Sequence, residues 1–138
     1  YAQSAKVFLG EDYWDNYTIE ATVKRLSGRS ILILGYATDN KNGVSFGITD
    51  KGFFLREMTE GSEKPLKASI ILPKIDSGET FVLKLVFKDG NVNAYLNDRI
   101  LFDNAKTSLI HGFAGFKVWG DKESAHGVLT SLKVYPSQ

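Results

Sequence analysis

Tyr17-Thr18-Ile19-Glu20-Ala21-Thr22-Val23-Lys24 sets an aromatic or aliphatic side chain at every odd position and a polar one at every even position. A period of two belongs to a β-strand with one face on a core and the other in water. Phe81, Leu83, Leu85 and Phe87 repeat the same period. Helical periodicity is nearly absent from the rest of the chain.

Outward from these two segments, short β-rich runs are separated by turn residues at intervals of roughly 8–12 residues, as in all-β sandwiches and barrels. Ser27-Gly28-Arg29 breaks the first strand, and Ile31–Ala37 resumes as a more continuously apolar, central strand. Asp39-Asn40-Lys41-Asn42-Gly43 reads as a hairpin loop, with positive φ expected at Asn42-Gly43, and Val44–Ile48 returns beside it. Asp50-Lys51-Gly52 turns the chain into Phe53–Met58; Glu60–Pro65 reads as a polar loop and Lys67–Leu72 as a strand. Asp89-Gly90-Asn91 and Asn97-Asp98 are tight-hairpin chemistry, joining Phe81–Lys88, Val92–Leu96 and Arg99–Phe102 into a meander. After a polar stretch at Asp103–Ser108 come Gly112–Trp119 and Gly127–Tyr135.

Some ten or eleven antiparallel strands in one domain favour two stacked sheets, an antiparallel β-sandwich of jelly-roll form, over a small closed barrel of lipocalin type. Residues 1–136 are read as this domain and residues 137–138 as the start of a linker or tail. The 138 residues, 43% apolar, suffice for one sizeable core. With 17 basic against 16 acidic residues there is no charge excess to gather a polyanion, which argues against nucleic acid. No apolar run approaches the ~20 residues of a spanning helix. The first residue is Tyr1, which reads as a mature product or a module of a longer chain. The absence of cysteine excludes disulfides, thiolate metal sites and a cysteine nucleophile.

The order of four segments then carries a resemblance. Trp14-Asp15-Asn16-Tyr17-Thr18-Ile19-Glu20-Ala21 is followed by Asp39–Gly43, by Asn93-Ala94-Tyr95-Leu96-Asn97-Asp98, and by Gly112-Phe113-Ala114-Gly115-Phe116-Lys117-Val118-Trp119. This order resembles the concanavalin A-like, laminin-G-like superfamily, and most of all carbohydrate-binding module family 66, whose members are appended to fructan- and other glycan-degrading enzymes. The resemblance implies a non-catalytic, lectin-like, secreted or extracellular module. It would be monomeric, bind an oligosaccharide or polysaccharide, and hold a catalytic domain of the same polypeptide near its substrate. A laminin-G-like structural or protein-interaction module is the alternative, and a sandwich-fold glycan hydrolase the second alternative. Family members often carry an Arg four residues before the position of Asp39 and an aromatic two residues after that of Asn42. Here Gly35 and Val44 stand there.

Candidate sugar contacts follow from parity and chemistry. An aromatic ring stacks on the C–H face of a sugar while polar groups bond its hydroxyls. Trp119 falls on the parity opposite to Ala114, Phe116 and Val118 and precedes Gly120-Asp121-Lys122-Glu123, so Trp119 with Asp121 and Glu123 forms a candidate clamp; packing at the core edge is the plainer reading. Arg56 falls beside Phe54 and Met58, where its fork could bond vicinal hydroxyls or simply lie along the surface. Tyr36 shares parity with Leu32 and Leu34, which leaves its facing open, whereas Phe46 suits the core. Trp14 suits packing, and Tyr95 falls outside the Val92, Ala94 and Leu96 set. Glu11, Asp12 and Asp15 cluster ahead of the first long strand and are candidate calcium ligands, as oxygen-rich loops favour that ion, although no EF-hand spacing is present. His111 and His126 are too isolated for a zinc motif. No strand carries the run of paired carboxylates that glycoside hydrolysis needs, and no nucleophile motif appears.

Overall fold

The computed structural model describes residues 3–9, 15–24, 30–39, 42–49, 52–71, 78–109, 111–120 and 129–136, with the backbone alone at residues 3–9, 39, 118–120, 129 and 130. Eleven strands run through them: β1 (Gln3–Leu9), β2 (Tyr17–Lys24), β3 (Ser30–Asp39), β4 (Asn42–Thr49), β5 (Gly52–Thr59), β6 (Ser62–Ile70), β7 (Thr80–Lys88), β8 (Asn91–Leu96), β9 (Arg99–Lys106), β10 (Phe113–Gly120) and β11 (Leu129–Pro136). They form a six-stranded sheet in the order β1-β10-β3-β4-β5-β6 and a five-stranded sheet in the order β11-β2-β7-β8-β9. Every pairing is antiparallel. The expected two-sheet sandwich is therefore the fold, and the closed barrel is not. No helix among the described residues is long and apolar enough to cross a membrane.

The alternation in β2 and β7 does what its period demands. Ile19, Ala21 and Val23 from β2 and Phe81, Leu83, Leu85 and Phe87 from β7 meet Ile31, Ile33, Val44, Phe46, Ile48, Phe53 and Leu55 from the facing sheet in one core. Each large apolar side chain so enclosed contributes about 1.5–3 kcal/mol relative to exposure.

Among the described residues three hairpins use the turn in which both central residues take positive φ, the hand that matches strand twist. These are Asp89-Gly90 (φ 51° and 80°), Asn97-Asp98 (50° and 66°) and Glu60-Gly61 (51° and 84°). The first two stand where the sequence places them. The third corrects the expected polar loop at Glu60–Pro65: the turn is only Glu60-Gly61, and Ser62 already pairs with Thr59. β6 is nonetheless polar and exposed, as suits a sheet edge, and an edge strand tolerates Pro65, which cannot donate to a ladder. Asn42-Gly43 is also corrected. Asn42 pairs with Asp39 and Gly43 with Met58, inside strand β4, and neither takes positive φ. β9 runs on to Lys106 through the expected polar stretch, and β1 is a strand that the alternation did not reveal.

The largest departure lies in β3. Gly115 of β10 pairs with Leu34 and Phe113 with Ala37, so three steps on β3 oppose two on β10. Tyr36 is the extra residue, at φ 50°. A residue inserted in this way bends the strand and reverses the parity of the residues after it. Tyr36 therefore leaves the Leu32 and Leu34 face and enters the core, fully buried.

Candidate functional site

Away from the core, the six-stranded sheet presents a second face. Its cross-strand rows are Gly115, Leu34, Ser45, Arg56 and Pro65, and beside them Lys117, Leu32, Gly47 and Phe54. Phe54 is buried although it is absent from the core cluster, and the Arg56 guanidinium lies over its ring at 4.4 Å from the centroid. Arg56 keeps 43% of its side chain exposed and meets Glu63 of β6 at 3.7 Å. Such an exposed ion pair is worth about 0–1 kcal/mol. The stack and the pair hold the guanidinium plane while its remaining N–H donors stay open to water. Ser45 registers opposite Arg56, and Gly43 brings half-buried Met58 into the same patch. The planar donor fork of Arg56, the Ser45 hydroxyl and the Glu63 carboxylate, with Phe54 as a buried support beneath, together make a surface able to bond polyols.

Of the other sequence-derived candidates, the backbone of Trp119 lies apart from this patch and Tyr36 is buried. Trp119 pairs with Ser4 and Ser30 in β10. β10 lies three strand spacings from β5, about 14 Å across the sheet, and Trp119 is four residues further along than Gly115 in Arg56's row, about 13 Å. One monosaccharide cannot touch both positions. The Trp119 side chain, Asp121 and Glu123 lie outside the described residues, as do Glu11, Asp12, Trp14 and His126. Asp15 is exposed at the start of β2. Among the described residues no three His, Cys, Asp or Glu side chains group to hold a metal.

Tyr36 presents no surface to a ligand. Its ring packs on Phe87 with centroids 4.1 Å apart, and its hydroxyl donates to the Asp15 carbonyl at 2.5 Å. Burial, reinforced by the nearby charge of Asp15, pushes its pKa up to about 12. Tyr95 is half-buried and packs across the strands under the Lys84 ammonium, 4.9 Å from the ring centroid. Lys84 in turn meets Asp98 at 3.1 Å, and that bond raises its pKa.

Gly35 and Val44, the positions where the resembling family often has an Arg and an aromatic, are cross-strand partners that both face the core. A Cβ on Gly35 would stand 2.0 Å from Phe87 Cε2, and Val44 is fully buried. Neither position is part of the outer face in this fold, so their small side chains remove nothing from it.

The residue that sequence reasoning missed is Glu57. It is fully buried, and its Oε1 accepts hydrogen bonds from the Thr107 hydroxyl, the Ser108 N–H at 2.8 Å and the Ser108 hydroxyl at 3.1 Å. Its Oε2 stands 3.3 Å from the Lys64 ammonium, which is 65% exposed. Burial alone would raise its pKa, but the bonds from Thr107, Ser108 and Lys64 outweigh it and hold the carboxyl below its ordinary value. The group ties β5 of one sheet to the segment after β9 of the other. A signal was present: Glu57 shares the parity of Phe53 and Leu55. The carboxylate is committed to structure by the bonds to Oε1 and by the Lys64 contact at Oε2.

Neither a family model nor a curated protein sequence matches the chain. Solved structures do. Chicken galectin 2 superposes with a TM-score of 0.71 at 13% identity, covering 94% of this chain and 97% of that one. The carbohydrate-binding module CBM66 from Bacillus subtilis gives 0.69 at 18% identity over 96% of this chain and 81% of that one. Sheep galectin-11, solved in complex with glycerol, gives 0.65 at 17% identity over 98% and 96%. At identities this low the likeness establishes the fold alone: the chain is a jelly-roll β-sandwich.

Proposed function

We propose that this chain is a non-catalytic carbohydrate-binding module whose sugar surface is the outer face of the six-stranded sheet around Arg56. The observation that carries the reading is the Arg56 guanidinium stacked 4.4 Å over Phe54 yet 43% exposed, beside Ser45 and Glu63. A fork held in place but not consumed is pre-organised to bond two neighbouring hydroxyls. The fold, shared with galectins and with CBM66, supports it. In this reading the module acts outside the cell and keeps a glycan-active enzyme domain at its polysaccharide.

A glycan panel that includes a galactoside disaccharide and a fructan oligosaccharide tests it, followed by calorimetric titration of the best ligand. Arg56→Ala should weaken that ligand at least tenfold while leaving the circular dichroism spectrum unchanged. Undiminished affinity in Arg56→Ala would remove this face from the site. A panel without a single hit would sink the carbohydrate reading altogether. Gly35 and Val44 face the core, so their small side chains take nothing from this outer face.

A further inference from the structure

A cavity of about 300 Å³ opens at the far sheet, where the start of β2 meets the end of β11. Its lining is Asp15, Asn16, Tyr17, Val134, Tyr135 and Pro136. The volume is at the lower end of the ~300–1,000 Å³ common for ligand pockets, room for one ring rather than a chain. Tyr135 is 40% exposed and offers a ring face. Pro136 registers with Tyr17 and Tyr135 with Thr18, so the apolar walls belong to a paired ladder.

The polar rim is fixed as well. The Asp15 carbonyl accepts the Tyr36 hydroxyl at 2.5 Å, and Asp15 Oδ1 accepts the Asn16 N–H at 2.7 Å. The Asn16 amide donates to Asp89 Oδ1 at 3.2 Å, while its oxygen accepts the Asp89 N–H at 2.8 Å. The rim thereby retains one carboxylate oxygen of Asp15 and one N–H of the Asn16 amide for a ligand. Among the described residues no basic side chain is in the lining, which disfavours phosphate, sulfate or carboxylate ligands.

We infer that this pocket is a second, independent saccharide subsite, taking a single neutral sugar ring with its C–H face on Tyr135 and two hydroxyls on Asp15 and Asn16. The inference rests on the carbohydrate-binding reading, but it uses the opposite sheet. Two sites on one module would let it bind neighbouring chains of a glycan with the gain that linkage gives over either site alone.

The test monitors amide shifts of the ¹⁵N-labelled protein during titration with the methyl glycosides of galactose, glucose and fructose, and separately with tetramethylammonium chloride. A glycoside should shift Asn16, Tyr17, Val134 and Tyr135 along a saturable curve. Tyr135→Ala and Asp15→Asn should each weaken that curve at least fivefold, whereas Arg56→Ala leaves it unchanged. Shifts confined to Ser45 and Arg56 would overturn the second subsite and leave the first standing; shifts at the pocket alone would do the reverse. A pocket that responds to tetramethylammonium and to no glycoside is a cation site, and the inference fails. No shift with any glycoside at either place defeats both.

Discussion

The Tyr17 hydroxyl accepts the backbone N–H of Tyr36 at 2.7 Å and donates to the Gly112 carbonyl at 2.8 Å, so one side chain of the five-stranded sheet satisfies two backbone groups of the other. Tyr36 is the bulged residue of β3, and its left-handed φ of 50° costs a non-glycine residue about 1–3 kcal/mol. The Tyr17 bond, the Tyr36 ring on Phe87 and the Tyr36 hydroxyl on Asp15 hold it there.

Tyr17→Phe keeps the ring and deletes the oxygen, leaving a buried N–H and a buried C=O unpaired. The expected loss is about 2–4 kcal/mol of unfolding free energy at pH 7, read from urea denaturation with an unchanged slope. A loss below about 0.5 kcal/mol would show that water replaces the hydroxyl and that the bulge does not depend on it.

Alkaline pH should act through the same pair. Burial raises the pKa of Tyr17 above the usual 10.0 and pushes that of Tyr36 up to about 12. Between the unfolded and folded values the unfolded chain has released protons that the native state still holds. Stability is therefore complete below about pH 10 and falls as pH rises through the native values. Denaturation midpoints at pH 8, 10 and 11.5 check this, and Tyr36→Phe should lessen the decline. A midpoint that stays level to pH 11.5 contradicts it.

Glu57→Gln should cost about 1–3 kcal/mol at pH 7, since an amide cannot replace a carboxylate that accepts three bonds and faces an ammonium. The sign with pH is opposite to that of the tyrosines. The native pKa is below the unfolded 4.5, so the charge stabilises above that value and its contribution is lost as pH falls through the native pKa. The gap between wild type and Glu57→Gln should narrow from pH 7 to pH 3. A constant gap would mean that Glu57 acts by packing alone. Lys64→Met removes the ammonium that faces the buried Glu57 Oε2 and should cost about 1–3 kcal/mol at pH 7, read from urea denaturation.

Gly35→Ala should destabilise by about 1–3 kcal/mol through overpacking on Phe87. Gly35→Arg, which restores the residue common in the resembling family, should abolish folding and gain no sugar affinity. A soluble, cooperatively unfolding Gly35→Arg protein would refute the inward placement of β3 at this position.

The period-two alternation of β2 and β7 and the turns at Asp89-Gly90 and Asn97-Asp98 were fully legible, because strand facing and tight turns depend on residues a few positions apart. Arg56 was placed beside Phe54 by the same parity. Tyr36 was not legible: its facing depends on a one-residue insertion fixed by Tyr17, nineteen positions away. The role of Glu57 was hidden as well, since its partners Thr107 and Ser108 are fifty and fifty-one positions distant.

Sequence by itself determined the facing of β2 and β7 and the turns at Asp89-Gly90 and Asn97-Asp98, and favoured a two-sheet sandwich over a barrel, since each of these depends on local alternation and turn stereochemistry. Only the tertiary structure decided that Tyr36 packs inside, that Glu57 joins the sheets, that Arg56 and Trp119 are separate positions and that a pocket opens beside Tyr135. Those features arise where two sheets meet, and the energy of a buried hydroxyl, carboxylate or ring is set by partners that chain order does not bring near.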